Sequence, residues 1–155
     1  MVKITVKKTG VEIKILRREL NNINREVFKE TGEWFHGRYV KKRFTRRGAA
    51  ELGFTPRKPA TVRIKKKLFG HNLPNVFSGG SRALARIRNV KATATNKRAQ
   101  ARIILRTPLL NLKNPKSTIH PAEEIRRVSD NEAARTSVQI ASLKESKIKK
   151  YASRK

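Results

Sequence analysis

Hydrophobic positions near the start of the chain alternate with polar ones: Val2, Ile4 and Val6, then, after Lys7-Lys8-Thr9-Gly10, Val11, Ile13 and Ile15. A period of two in β-branched residues on either side of a glycine predicts a β-hairpin, with a helix starting near Val11 as the competing assignment. From Leu16 the period changes. Leu16, Leu20, Ile23, Val27 and Trp34 share one helical face, with Phe28 and Phe35 beside it, which predicts a long amphipathic helix reaching about Phe44. Gly32 and Gly37 each cost such a helix about 1 kcal/mol relative to alanine, so a bend or break is expected there. Glu12, Glu19, Glu26 and Glu33 recur every seven residues along one stripe. That stripe is either a solvated face with ordinary intrahelical pairs or an acidic strip that docks on the basic middle of a neighbouring subunit.

Farther along, the pattern breaks into shorter pieces. Arg46 to Arg57 reads as a loop that ends the helix, with Gly48 suited to a C-cap and Pro56 and Pro59 resisting a return to helix. Pro59 to Phe69 reads as a short helix opened by proline, carrying Val62, Ile64, Leu68 and Phe69 together with Arg63, Lys65, Lys66 and Lys67. Phe77-Ser78-Gly79-Gly80-Ser81 predicts a tight turn into a helical start capped by Ser78 or Ser81. Ala85 to Thr95 and Ala99 to Thr107 predict a second hairpin around Asn96-Lys97-Arg98. Pro108 to Ile119 reads as a loop with a turn at Asn114-Pro115-Lys116-Ser117. Pro121 to Val128 is helical, Ser129-Asp130-Asn131-Glu132 forms a capping box, and a last helix from Ala133 to about Lys150 packs through Val138, Ile140, Ala141 and Leu143. A basic stretch from Lys147 to Lys155 closes the chain.

The chain has 155 residues, the size of one domain: residues 1–150 form a single unit and 151–155 a basic tail. The expected class is α+β, with a long N-terminal amphipathic helix and a C-terminal helix packed on a small antiparallel sheet. Charge changes the picture more than size does. The formal net charge is +28, and from Trp34 to Thr118 there are twenty-two Lys and Arg against one acid, Glu51. Such a charge opposes compaction unless a polyanion or acidic neighbours neutralise it, so nucleic acid or a particle containing it is the first partner to expect. No apolar run approaches the roughly 18 residues of a spanning helix, so no membrane partner is expected. MVKITVKKTG lacks the apolar core of a signal peptide, which leads to an expectation of intracellular origin.

Candidate chemistry is sparse. There is no cysteine, and His36, His71 and His120 are scattered, so neither a metal site nor a cofactor is expected. Glu123-Glu124 is the nearest thing to a carboxylate pair, but acids in a first helical turn follow from the helix dipole. His71 has no Ser or Asp placed by spacing to complete a catalytic site. Gly79-Gly80 lacks the Lys-Ser/Thr ending of a phosphate-binding loop, and a turn requiring positive φ accounts for it. No catalytic residue is expected.

Two stretches together carry a resemblance. Arg43-Phe44-Thr45-Arg46-Arg47-Gly48-Ala49-Ala50-Glu51-Leu52-Gly53-Phe54-Thr55-Pro56-Arg57, followed by a basic segment and Gly70-His71-Asn72-Leu73-Pro74-Asn75-Val76-Phe77-Ser78-Gly79, resembles the tailed-phage virion morphogenesis proteins. These are neck and tail-completion proteins that join head to tail. Asn114 to Ser117 with Ala122 to Ile125 adds to the likeness, which covers roughly residues 25 to 145. Asn75, where the group more often has an apolar residue, and the doubled glycine depart from it.

The resemblance implies a virion component assembled in the host cytoplasm: a subunit of a ring, hexamer or dodecamer, between portal, adaptor or tail proteins, with DNA passing through its lumen. On that reading Arg57, Lys58, Arg63, Lys65, Lys66 and Lys67 meet DNA or an acidic ring. Leu20, Ile23, Val27, Trp34, Pro74, Phe77, Gly79 and Arg82 carry packing between subunits. The alternative is a ribosomal or other RNA-binding protein. Its attraction is composition, but aromatic residues make up only 6% of the chain and none falls in an expected strand. A free DNA-binding regulator ranks last for want of a helix-turn-helix.

Overall fold

The computed structural model describes residues 3–8, 11–76, 79–111 and 119–153. Its α+β architecture has two long helices and two small antiparallel hairpins. Strands β1 (Lys3–Lys8) and β2 (Val11–Leu16) pair from Lys3 opposite Leu16 to Lys8 opposite Val11, so the alternating residues make the hairpin and the early helix does not form. Helix α1 follows directly (Arg17–Tyr39), with a 3-10 turn at Val40–Phe44. Then come α2 (Arg46–Glu51), α3 (Pro59–Phe69) and α4 (Gly80–Arg86). Strands β3 (Val90–Ala94) and β4 (Ala99–Ile103) form the second hairpin, whose turn is closed by the Thr95 amide donating to the Arg98 carbonyl at 2.8 Å. A 3-10 turn at Pro108–Asn111, α5 (Pro121–Arg126) and α6 (Asp130–Ala152) complete the chain. The expected turn at 114–117 lies outside the described residues, as do Val2, Phe77 and Ser78.

The chain divides into two compact units. The first comprises Met1–Trp34, Val90–Ile103 and Ala134–Lys155. Within it Ile15, Ile23 and Val27 are buried. Helix α1 stays helical through Gly32, and the reason for the glycine is proximity rather than a bend. A Cβ there would lie 2.7 Å from Val90 Cγ1 and 3.3 Å from Ala101 Cβ, so the residue lets the β3–β4 hairpin approach the helix backbone. Helix α6 packs through half-buried Ile140, Leu143, Lys147 and Tyr151, whereas Val138 is 70% exposed and Ala141 also faces out, contrary to the expected packing. Two acids of the glutamate stripe, Glu19 and Glu26, meet α6 within the chain, although Glu26 stays largely exposed. Lys147 of α6 reaches Glu26 at 3.0 Å and Glu30 at 2.7 Å, and the Tyr151 hydroxyl donates to Glu19. These pairings run α1 and α6 antiparallel, and they make a residue of the expected basic tail part of the fold.

The second unit comprises Phe35–Asn89 and Ile104–Ala133. Its core joins Val40 and Phe44 to Val76, Ala85, Leu109 and Ile125, with Leu73, Leu105 and Leu110 packed against them. The segment after the 3-10 turn is a helix rather than the expected loop. Thr45 is its N-cap, its hydroxyl accepting from the Gly48 amide at 3.1 Å. Gly48 is therefore not a C-cap. It sits buried inside α2, where a Cβ would come within 2.0 Å of the Lys42 carbonyl oxygen. The left-handed position after α2 is Gly53, at φ 60. Helix α3 begins at proline and ends at Gly70, φ 68, as its sequence dictates. Gly79, at φ 87, precedes α4 and supplies the positive-φ turn in place of a side-chain cap.

Candidate interaction surface

Helix α3 has its polarity reversed. Its single buried residue is a lysine, Lys65, whose Nζ donates to the Leu73 carbonyl. Burial, and then the nearby Arg57 charge, push the Lys65 amine below the usual lysine range. Ile64 and Leu68, one helical turn apart, are 58% and 65% exposed, and Phe69 is also on the surface. Arg63, Lys66 and Lys67 stand exposed beside them. A helix that places a lysine inward and two large aliphatic side chains outward presents apolar area and positive charge together on one exposed face.

The other expected contact residues divide. Lys58, Arg63, Lys66 and Lys67 are exposed. Arg57 is not available for a polyanion: its guanidinium grips Glu124 of α5 with two bonds, 2.8 and 2.5 Å, and also reaches the Thr55 carbonyl and Asn75 Oδ1. Lys65 is withdrawn by burial. Asn75, unusual in the resemblance, is a buried acceptor for Arg57 and adopts φ 53, a left-handed conformation that asparagine tolerates better than most residues.

Among the expected packing residues, Val27 and Ile23 are buried inside the first unit and leave little or no surface for a neighbouring subunit. Leu20 and Trp34 of that unit, and Gly79 and Arg82 of the second, are half-buried, while Pro74 is buried. Phe77 lies outside the described residues. The reason for the mismatch is that a hydrophobic helix stripe signals burial without saying against what.

A second buried ion pair, absent from any expectation, holds the middle of the chain to the start of α6. Arg43 donates to both carboxylate oxygens of Glu132, at 2.8 and 2.6 Å, and to the carbonyls of Tyr39 and Arg127 at 2.6 and 2.9 Å. The Phe35 ring lies 5.4 Å from its guanidinium carbon. Glu132 also closes the capping box with Ser129, each side chain accepting from the other residue's amide. Arg127 in turn donates to the Leu52 and Gly53 carbonyls. Comparison of the chain with protein-family models finds no match, and comparison with curated proteins and with solved structures finds none.

Among the described residues Glu26, Glu30, Glu51, Glu124, Glu132 and Glu145 are held in ion pairs. Glu51, the lone acid of the basic middle, is shared by Arg47 and Lys42, which hold its carboxyl below the usual carboxylate range. With 39 Lys and Arg against 11 acids, basic side chains outnumber carboxylates more than threefold. Among the described residues no helix is long and apolar enough to cross a membrane.

Proposed function

We propose that this chain is a structural subunit of the head-to-tail junction of a tailed bacteriophage, a neck, tail-completion or head-closure ring through which DNA passes. What carries the reading is α3, which exposes Ile64 and Leu68 as well as Arg63, Lys66 and Lys67 while burying Lys65. An exposed apolar stripe inside a cationic field fits a face completed by neighbouring subunits or an adjacent ring near DNA. The resemblance of residues 43–57 and 70–79 to virion morphogenesis proteins supports the same assignment. So does the excess of 39 Lys and Arg over 11 acids, because a ring multiplies the +28 charge by its copy number and needs the phosphate backbone or acidic neighbours as counterions.

The contact set in this proposal is Lys58, Arg63, Lys66 and Lys67, with Ile64 and Leu68 packing against the neighbour. Native mass spectrometry of the purified protein, with cryo-electron microscopy of phage particles, tests it. A closed ring of six or twelve copies, placed between head and tail, is the expected result. A protein that remains a monomer at all concentrations and is absent from particles refutes the proposal, and co-sedimentation with ribosomes replaces it with an RNA-binding role.

A further inference from the structure

A cavity of ≈340 Å³ in the second unit is lined by His36, Gly37, Val40, Lys41, Phe44, Ala85, Arg86 and Arg88. Its walls come from the end of α1, the 3-10 turn that follows, and α4 with the segment after it. They are fixed to each other. Buried His36 Nε2 lies 3.0 Å from the Ala85 carbonyl, and because a carbonyl only accepts, that nitrogen carries the proton and donates. Val40, Phe44 and Ala85 belong to the packed core and give the cavity a rigid apolar floor.

The charge around this floor is one-sided. Lys41, Arg86 and Arg88 contribute three cations, and no carboxylate lines the cavity. Among the described residues none of the three makes an ion pair or a side-chain hydrogen bond, in contrast with Arg43, Arg57 and Arg127 of the same unit, which are fully engaged. Arg88 does not simply extend into solvent: one of its guanidinium nitrogens would stand 3.8 Å from a Cβ on Gly37, so it lies back over the helix. A concavity of ≈290 Å³ between α1 and α6 differs in its charge. There Glu19 and Glu26 face Lys147 and Lys150, and the charges balance within the chain.

Three like charges gathered about one concavity repel each other, and an anion seated among them removes that repulsion while accepting their N–H groups. Guanidinium and ammonium groups carried to one concavity by different elements suit a tetrahedral oxyanion, which offers several acceptor oxygens at once. We infer that this cavity is a binding site for a phosphate group, held by Lys41, Arg86 and Arg88, with His36 as a positioning residue that ties α1 to α4. The inference does not depend on the assembly proposed above. Two sources share the chemistry, free phosphate and the phosphodiester of a nucleic acid strand.

The test is titration of the folded full chain with inorganic phosphate and, separately, with a short oligothymidylate, followed by amide and side-chain NMR shifts at constant ionic strength. Saturable shifts are expected at Gly37, Lys41, Arg86 and Arg88. Response to phosphate alone assigns a free anion, and response to the oligonucleotide alone assigns a nucleic-acid strand. The Lys41→Ala, Arg88→Ala double variant is expected to weaken binding at this site by about a hundredfold, since each lost charge-assisted contact is worth about tenfold. Lys97→Ala, Arg98→Ala removes the same charge from the exposed turn of the second hairpin, outside both proposed contact sets, and is expected to change it less than about twofold. If the alanine pair does not fold, Lys41→Gln, Arg88→Gln is read instead, because it keeps the aliphatic stems. Equal weakening by the two pairs, or no saturable shift at the cavity with either probe, overturns the inference.

Discussion

Replacing Glu132 with alanine strips the counterion from a guanidinium that is 1% exposed. Arg43 then keeps the Tyr39 and Arg127 carbonyls but loses both of its bonds to the carboxylate. Leaving one partner of a buried pair unmatched costs about 3–5 kcal/mol, far more than the pair adds over a well-packed apolar substitute. Glu132 is also the acceptor for the Ser129 amide at the start of α6, and loss of that half of the capping box adds about 1 kcal/mol. The sum, about 4–6 kcal/mol, is comparable with the whole stability of a domain, about 5–15 kcal/mol.

Urea unfolding followed by far-ultraviolet circular dichroism reads the effect, and three further variants separate its parts. Ser129→Ala removes the other half of the box alone and should cost about 1 kcal/mol. Glu132→Gln keeps the shape and part of the capping while deleting the charge, and should fall between Ser129→Ala and Glu132→Ala. The Arg43→Met, Glu132→Leu double variant removes both charges and should be less damaging than the two single changes added together. A cost below about 1 kcal/mol for Glu132→Ala, or a double-mutant cycle that closes additively within about 0.5 kcal/mol, refutes the argument.

Three other tests follow from the same coordinates. Gly32→Ala and Gly48→Ala force a methyl group against Val90 Cγ1 and the Lys42 carbonyl respectively, and each should destabilise by about 1–3 kcal/mol in urea titration. Gly37→Ala, in the same helix as Gly32 but with its nearest neighbour at 3.8 Å, should instead stabilise by about 0.5–1 kcal/mol; a loss there disproves the account of the glycines. The hydrogen bond to Glu30 is the main cause that lifts Lys147 above the usual lysine value of 10.5, aided by Glu26 and opposed by desolvation. A raised pKa means the contribution is complete below pH 10.5 and disappears as pH climbs through the higher folded value. The deficit of Lys147→Met, under about 1 kcal/mol because both carboxylates are partly exposed, should therefore be constant from pH 7 to 9 and shrink above 10.5 in paired thermal melts. In gel-shift titrations with duplex DNA, Lys66→Ala, Lys67→Ala should flatten the salt dependence of binding, and an unchanged slope removes these lysines from the contact set.

Local signals in the chain were legible where one residue decides the backbone. Pro59 and Gly70 bracket α3, Ser129 and Glu132 announce α6, and the alternating valines and isoleucines mark the first hairpin. Glycine was less transparent, because the same residue serves positive φ, as at Gly79, and close approach, as at Gly32 and Gly48. Thr45, three residues before Gly48, is the signal that distinguishes a helix start from a helix end there. The buried ion pairs were the least readable. Arg43 and Glu132 are 89 positions apart and Arg57 and Glu124 are 67 apart, and in a chain crowded with basic side chains no local pattern tells the two interior arginines from their solvated neighbours. The seven-residue spacing of glutamates did mark two acids that meet the last helix, Glu19 and Glu26, but their partners there, Tyr151 and Lys147, are ones that no local periodicity can specify.

Reversed α3 also bears on how separate copies behave in solution. At low ionic strength, mutual repulsion keeps the greasy Ile64 and Leu68 patches of separate molecules out of reach of each other. Adding salt shortens that repulsion to within about 10 Å at 0.1 M, after which the patches can touch. In the proposed assembly, positive charge is then a brake on premature clustering, released where an anionic surface gathers the subunits side by side.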